Sequence, residues 1–262
     1  MQNLRYVGKN LFIEKLSIKN ILKKQKTPFY IYSENQIITN FLKFKNTFKK
    51  TNPLICFAAK SNSNLNILRV LGRLGAGADV VSGGELLKAL KAGIKAKKIV
   101  FSGVGKTEEE LKIAINKNIL LINCESESEA KLVNNLAKKL RKKVSIGFRL
   151  NPNVDAKTHK NISTGKAENK FGLSIKSFKI FLKTINSLKN IKLDALSVHI
   201  GSQILNDAPF RKTLSVMSKL IKELRLNLNY VDLGGGFGIN YTNKERPINL
   251  NKYSKLVESF SK

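Results

Sequence analysis

The sequence predicts an α/β fold with a parallel sheet, of the (β/α)8 barrel type with about seven of its eight units present. From residue 54 onward, short apolar runs alternate with longer amphipathic segments. The apolar runs mostly lack the polar–apolar alternation of strands that face water on one side. Capping motifs open three of the amphipathic segments directly after an apolar run, as in the strand–helix units of a parallel sheet.

Seven apolar runs are predicted to be the strands of this sheet: 54–59, 78–81, 99–102, 119–123, 144–150, 193–199 and 229–233. The last predicted helix covers about 250–261. A closed barrel needs an eighth strand. We therefore expect either a barrel that is truncated before strand eight or an open sheet.

Three helix starts carry the pattern of a capping box: Ser82-x-x-Glu85, Thr107-x-x-Glu110 and Ser126-x-x-Glu129. In such a box the hydroxyl accepts a hydrogen bond from the backbone three residues on, and the glutamate reaches back to the cap.

Two segments stand outside the strand–helix rhythm. Residues 1–35 are predicted to be a separate N-terminal segment with a short strand at 29–32, before barrel residues 36–262. Residues 151–172 are polar and punctuated by Gly and Pro. A loop of this length inside a compact domain is usually functional, so we predict a lid.

The net charge of +30 is the one extreme bulk property. The lysines are spread over nearly every segment, which favours a solvated basic surface over a nucleic-acid site. No apolar run is long enough to span a membrane, and Met1–Asn10 lacks the apolar region and cleavage site of a secretory signal, so we expect neither a membrane span nor secretion. Cys56 and Cys124 lie far apart without a CxxC motif, which argues against a disulfide or a zinc site and favours a reducing cytoplasm.

Chemistry in a parallel barrel gathers at the carboxyl ends of the strands. Polar residues or glycines stand in or directly after the ends of the apolar runs: Lys60, Asp79, Ser102, Asn123, Arg149, His199 and Gly234–Gly236. Lys60 ends the run CFAAK, where an amine beside a buried strand loses hydration and becomes a better Schiff-base nucleophile. A solvated lysine is the competing interpretation.

His199 is one of two histidines and follows an apolar run, so it is either a core residue or a group that stacks on a planar ring or moves a proton. The glycines at 234–236 form either a tight turn or an anion site. Two nucleotide motifs fail, because Ile239 replaces the third Gly of GxGxxG and Val100 replaces the first Gly of a P-loop ending at Lys106. A lysine, a histidine and a Gly-rich loop best suit a phosphorylated aldehyde cofactor.

These residues lie in longer blocks that resemble one enzyme family. The blocks are ICFAAKSNSN, GAGADVVSGGE, IVFSGVGKTEEE, INCESESE, FRLNPNVDAKTHKNISTGKAENKFG, VHIGSQI and VDLGGGFGI. Together they resemble the diaminopimelate decarboxylases, which depend on pyridoxal 5'-phosphate. The resemblance implies an alanine-racemase-like barrel followed by a C-terminal β-domain that pairs with residues 1–35.

The resemblance also implies roles for the site. Lys60 forms the Schiff base, His199 stacks on the pyridine ring, Ser202, Gly235 and Gly236 hold the phosphate, and Asp79 and Arg149 line the cofactor pocket. The implied reaction converts meso-2,6-diaminopimelate to L-lysine and CO2 in a cytoplasmic homodimer, without metal, membrane or nucleic acid. Family members carry later blocks, Glu-Pro-Gly-Arg and Cys-Glu-Ser-Gly-Asp, that complete the site. Since Lys262 precedes both, we expect the chain alone to be inactive.

Two alternatives stay open. One is a decarboxylase of the same fold that acts on arginine, ornithine or carboxynorspermidine. The other is a non-catalytic protein that binds pyridoxal phosphate or has a regulatory role.

Overall fold

A curled sheet of parallel strands is the centre of the computed structural model, which describes residues 3–156, 164–165, 171–241 and 247–261. Seven strands of the described chain form this sheet: β4 (Cys56–Ala58), β5 (Gly77–Val80), β6 (Ile99–Phe101), β7 (Leu121–Cys124), β8 (Val144–Asn151), β10 (Ile191–Val198) and β11 (Tyr230–Asp232). They lie in the order β11-β10-β8-β7-β6-β5-β4, and every neighbouring pair is parallel. A two-residue strand, β9 (Leu173–Ser174), pairs with the end of β8.

Helices connect these strands, as the amphipathic segments predicted. They are α2 (Glu34–Thr47), α3 (Leu65–Arg73), α4 (Gly83–Lys91), α5 (Glu108–Asn116), α6 (Glu127–Lys139), α7 (Ile175–Ile185), α8 (Ala208–Glu223) and α9 (Leu250–Phe260). Two short 3-10 helices, Ala59–Ser61 and Ala96–Lys98, lie beside β4 and β6. All seven predicted strands are therefore present, each displaced by no more than two residues at either end.

The three predicted capping motifs form, with one variation. The hydroxyls of Ser82, Thr107 and Ser126 each accept a hydrogen bond from the backbone three residues on. Only Glu110 reaches back to its own cap residue, Thr107. Glu85 and Glu129 instead accept from the residue before the cap, at 2.9 and 2.8 Å. Each glutamate thus accepts a hydrogen bond from a backbone N–H group that would otherwise have no partner at the start of a helix.

Glu110 also reaches into the preceding strand–helix unit. Its Oε1 accepts a hydrogen bond from the backbone of Gly83 at 2.7 Å. A β-carbon at Gly83 would lie 2.9 Å from Cγ of Glu110, so the glycine leaves room for this contact. The first turns of α4 and α5 are joined as a result.

Apolar side chains fill both the interior of the sheet and the layer under the helices. Phe101, Ile122, Ile146 and Leu196 are completely buried strand residues, and helix residues such as Leu86 pack against the same cluster. Burying a side chain of this size contributes about 1.5–3 kcal/mol. The continuous apolar runs in the sequence thus correspond to strands that are covered on both faces.

The sheet curls far enough to bring its first and last helices together. Phe48, just after α2, meets Tyr253 of α9 with ring centroids 5.9 Å apart, and Lys50 lies 3.5 Å from Glu258. Strands β4 and β11 are the two ends of the described sheet and are not paired with each other. This arrangement confirms the predicted incomplete barrel and excludes the flat, open-sheet alternative.

The N-terminal segment differs from its prediction. Residues 29–32 are not a strand; the exposed and half-buried positions do alternate there, but no described strand lies beside them to form a ladder. Instead, β1 (Leu4–Val7), β2 (Asn10–Ile13) and β3 (Leu16–Ser17) form a small antiparallel sheet, followed by α1 (Ile18–Leu22). Gly8, at a φ of 58°, turns the chain between β1 and β2.

No helix within the described residues is long and apolar enough to cross a lipid bilayer. The predicted lid, 151–172, is described only at 151–156, 164–165 and 171–172, and the remainder lies outside the described residues.

Candidate functional site

The residues chosen from the sequence meet at one end of the barrel. Asp79 lies in β5, Arg149 in β8 and His199 directly after β10, while Gly235 and Gly236 follow β11. Parallel strands end at the same edge, so these positions face one mouth. The register places Asp79 beside Ala58, the last residue of β4, and Arg149 beside Ser197.

Lys60 lies at this mouth, but it is exposed. The expectation of an amine desolvated by a buried strand is therefore wrong. Strand β4 ends at Ala58, and the 3-10 helix that follows lifts Lys60 away from the core. Its positive charge still acts on the site, because it lowers the pKa of both Asp79 and His199.

Asp79 is a carboxyl group with a strongly altered acidity. Burial, and next the negative charge of Asp232, raise its pKa to about 6, against the opposing effects of a hydrogen bond from Ser102 and the charges of Lys60 and Arg149. Its Oδ1 atom is buried and has no hydrogen-bond partner among the described residues. Asp79 can therefore carry a proton near neutral pH.

A belt of polar side chains crosses the barrel interior beneath the mouth. The amide of Asn123 donates to Ser102 Oγ at 3.2 Å and to Asp232 Oδ2 at 3.1 Å. Ser197 also donates to Asp232, at 3.1 Å. A β-carbon at Gly147 would lie only 2.4 Å from the amide oxygen of Asn123, which explains the glycine in the middle of β8. The belt joins edge strand β11 to the middle of the sheet.

His199 is held in place and kept neutral. Burial, followed by the positive charges of Arg149 and Lys60, lowers its pKa to about 4. Its carbonyl oxygen accepts hydrogen bonds from Thr164 Oγ1 at 2.7 Å and from Arg149 Nη2 at 3.4 Å. Its Nδ1 accepts from the backbone of Gly235 at 3.4 Å. At neutral pH it is a neutral imidazole with a fixed ring.

The glycine loop after β11 packs against the chain that follows His199. A β-carbon at Gly236, where φ is 89°, would lie only 1.9 Å from the carbonyl oxygen of Gly201. The same β-carbon would lie 3.4 Å from Cα of Ser202. Ile204 N–H donates to the Gly236 carbonyl at 2.9 Å. Ser202 and the glycine loop therefore line one part of the mouth.

Sequence reasoning missed several residues of this end of the barrel. Glu125 binds Arg149 at 3.1 Å and the backbone of Gly172 at 2.8 Å. It comes two residues after Asn123, so the strand-end rule could have found it. Asp232 was overlooked because it lies inside an apolar run. Lys106 was set aside with the rejected P-loop pattern, yet its side chain is completely buried against Glu129 at 2.7 Å.

The two cysteines are unpaired thiols within the barrel wall. Burial, and next the charges of Asp232 and Asp79, raise the pKa of Cys56 to about 12, and burial also raises the pKa of Cys124. Both are therefore protonated and poor nucleophiles near neutral pH. Among the described residues, no cluster of three or more His, Cys, Asp or Glu side chains could hold a metal ion.

Taken together, the mouth offers an exposed amine, a carboxyl group that titrates near neutral pH, a neutral imidazole and a glycine loop. Backbone N–H groups at such a loop can bind an anion such as a phosphate. An amine within the same opening can attack an aldehyde carbon. The arrangement fits a phosphorylated aldehyde.

Comparison with known proteins gives a family match over most of the chain. A family model described as "Pyridoxal-dependent decarboxylase, pyridoxal binding domain" matches residues 34–261. The chain is 42% identical over 246 residues to the diaminopimelate decarboxylase of Aquifex aeolicus, covering 93% of this chain and 58% of that protein. It is 40% identical over 261 residues to the Haemophilus influenzae enzyme of the same name, covering 98% and 63%.

Solved structures agree with these sequences. Diaminopimelate decarboxylase from Helicobacter pylori, complexed with L-lysine, superposes with a TM-score of 0.87 at 42% identity and covers 92% of this chain and 62% of that one. The enzyme from M. jannaschii, also with L-lysine, gives 0.89 at 34% identity and covers 99% and 62%. The chain thus spans about three fifths of the length of these relatives.

Proposed function

Because the chain belongs to the pyridoxal-dependent decarboxylases through their pyridoxal-binding domain, we propose that it serves in converting meso-2,6-diaminopimelate to L-lysine and CO2. Relatives at 40–42% identity carry the name diaminopimelate decarboxylase. The similar structures from Helicobacter pylori and M. jannaschii hold L-lysine, the product of that reaction. These similarities support the choice of substrate over arginine, ornithine or carboxynorspermidine.

One observation carries the proposal: Lys60, Asp79, Arg149, His199 and the glycine loop come from five different strand ends and meet at one mouth. Pyridoxal 5'-phosphate fits this set. The tight approach of Gly236 to Gly201 leaves no room for a side chain at this position beside Ser202, and backbone N–H groups of such a glycine loop can bind a phosphate. Oδ1 of Asp79 is a buried acceptor without a hydrogen-bond partner among the described residues, so it can accept a hydrogen bond from a bound group.

Each residue then has a role in holding the cofactor. Lys60 is the residue that bonds to the aldehyde carbon, and Ser202, Gly235 and Gly236 bind the phosphate. The neutral ring of His199, fixed through its carbonyl and its Nδ1 atom, stacks on the pyridine ring without adding a positive charge beside it. Bound pyridoxal phosphate supplies an electron-accepting ring for loss of CO2.

Asp79 and Arg149 line the pocket and set its charge. A pKa of about 6 lets Asp79 hold or release a proton at the mouth under physiological conditions. Arg149 supplies a fixed positive charge that favours an anionic substrate or cofactor group. Both residues act on bound groups by charge and orientation.

We extend the proposal to the chain's organisation and surroundings. Residues 1–35 form a segment separate from the barrel at 36–262, and the exposed side chains of Leu4, Tyr6 and Val7 support their packing against a β-domain such as the family resemblance implies. Two free cysteines support a reducing cytoplasm. As the family resemblance implies, the functional unit is a homodimer that binds a small amino acid.

The proposal is tested by trapping the cofactor on the protein. Borohydride reduction of the protein with pyridoxal 5'-phosphate should fix a pyridoxyl group on Lys60, located by peptide mass mapping. Lys60→Ala should abolish the label, while Lys88→Ala, which removes an exposed lysine bonded to Ser63, should keep it. In a protein that also carries the later Glu-Pro-Gly-Arg and Cys-Glu-Ser-Gly-Asp blocks of the family, CO2 release should be faster from meso-diaminopimelate than from ornithine, arginine or carboxynorspermidine. A label on a different lysine, or faster release from another substrate, would contradict the corresponding assignment.

A further inference from the structure

Glu125 holds two separate parts of the barrel mouth with one carboxylate. Its Oε1 accepts from Arg149 Nη1 at 3.1 Å, and its Oε2 accepts from the backbone N–H of Gly172 at 2.8 Å. The Glu125 side chain is 6% exposed and that of Arg149 12%. A charge-assisted pair with so little water around it has a well-defined geometry. Arg149 and Gly172 are therefore fixed relative to each other through Glu125.

The turn that carries Glu125 is itself anchored from below. The backbone N–H of Glu125 donates to Glu129 Oε2 at 2.8 Å, and the other oxygen of Glu129 pairs with Lys106 at 2.7 Å. The Lys106 ammonium also donates to the carbonyl oxygens of Gly103 at 2.6 Å and Asn123 at 2.8 Å. These four contacts link the β6–α5 connection to the end of β7 and hold the backbone of Glu125 in place.

The held arginine in turn contacts His199. Nη2 of Arg149 lies 3.4 Å from the carbonyl oxygen of His199, which Thr164 also binds. The guanidinium group lies over the ring of Phe171, 4.8 Å from its centroid. A planar guanidinium can serve a carboxylate, a carbonyl and an aromatic face at once only if its plane is fixed. The Glu125 carboxylate fixes that plane.

We propose that Glu125 is a positioning residue of the site: it orients Arg149 and through Arg149 holds His199, and its direct bond to Gly172 holds the chain at Phe171–Gly172 in the geometry that binds the cofactor. The consequence for pyridoxal phosphate rests on the proposed function, whereas the clamp between Glu125, Arg149 and Gly172 does not. Glu125 needs no contact with the cofactor in this role.

The substitution Glu125→Gln removes the negative charge and keeps the size of the side chain. Glutamine has the same size, but one end of its amide is an NH2 donor. Arg149 and Gly172 both offer donors, so the amide must turn its NH2 group toward one of them and lose that contact. The remaining contact also loses its negative charge. Glu127, whose side chain is 42% exposed and pairs with Lys131 at 2.7 Å, provides the matched control Glu127→Gln.

Two measurements test the proposal. Amide hydrogen exchange at Phe171–Gly172 should be at least about tenfold faster in Glu125→Gln than in the wild type, since loss of a hydrogen bond to a charged group is involved. The dissociation constant for pyridoxal 5'-phosphate, from absorbance titration, should rise about tenfold. In Glu127→Gln both values should stay within about twofold. The thermal unfolding midpoint reports whether each variant is folded.

A double substitution distinguishes positioning from a general structural effect. If Glu125 acts through Arg149, then adding Glu125→Gln to Arg149→Lys should change the pyridoxal phosphate affinity by less than about twofold. The reason is that the Arg149→Lys variant has already lost the planar guanidinium group that Glu125 orients. Additive losses, or unchanged exchange at Gly172 in the folded single variant, would overturn the proposal. Failure of the wild type to bind pyridoxal phosphate would instead refute the proposed function, and the Gly172 exchange would still decide for or against the clamp.

Discussion

Replacement of the buried Lys106 by methionine is expected to destabilise the protein strongly. Its ammonium group makes three contacts, at 2.6, 2.7 and 2.8 Å, and its side chain has no exposed surface. Removing one partner of a buried ion pair costs about 3–5 kcal/mol, because the other charge remains without compensation. Glu129 keeps 12% of its side chain exposed, so some water can reach it. We therefore expect about 3 kcal/mol.

The free energy of unfolding in urea measures this effect. The control Lys112→Met removes a lysine whose side chain is 43% exposed and pairs with Glu108 at 2.9 Å, and should change stability by less than about 0.5 kcal/mol. A second substitution gives the sharper test. Glu129→Gln should destabilise the wild type, but should recover about 1–2 kcal/mol in the Lys106→Met background by removing the stranded charge. A small effect of Lys106→Met, or further destabilisation by Glu129→Gln in that background, would refute the reasoning.

Two further predictions concern the mouth of the barrel. Asp79 has a pKa near 6 in the folded protein and an ordinary value of 3.8, so between about pH 4 and 6 the folded state holds the extra proton and this group makes stability fall as pH rises. Asp79→Asn should remove about 1–2 kcal/mol from the stability difference between pH 4.5 and 7 in urea unfolding, and an unchanged difference would contradict the assignment. Gly236→Ala should cost about 2 kcal/mol or more in the same assay, because its β-carbon would lie 1.9 Å from the Gly201 oxygen. Gly235→Ala, whose β-carbon would meet nothing within 4 Å, should cost about 1 kcal/mol or less, and equal losses would show that the close approach is unimportant.

The parallel strands were predictable because strands that are buried on both faces have continuous apolar sequences. Strand β10, for example, was predicted at 193–199 and spans Ile191–Val198. The N-terminal sheet was missed because its first strand, Leu4–Val7, is exposed along its whole length and lacks such a run. Gly8, two residues before β2, was a turn signal that the pattern of apolar residues did not use.

The site was only partly predictable for a related reason. Asp79, Arg149 and His199 were found because a strand end is a local feature of the sequence. Glu125 also follows a strand end and could have been found by the same rule. Its role, like that of Lys106, depends on contacts with residues 17 to 47 positions away, which no local pattern encodes. The exposure of Lys60 likewise depends on where β4 stops and a 3-10 helix begins, which a run of small and apolar residues does not specify.

The contact between Glu110 and Gly83 constrains how this barrel can be redesigned. The glutamate that caps α5 also satisfies the first turn of α4, so neighbouring loops share one carboxylate. A loop grafted in place of residues 81–84 without a glycine at 83 would bring a β-carbon to 2.9 Å from Cγ of Glu110. A graft that removed Glu110 would leave the backbone of Gly83 without its acceptor. Variation at this face is therefore expected to succeed when adjacent loops are exchanged as pairs.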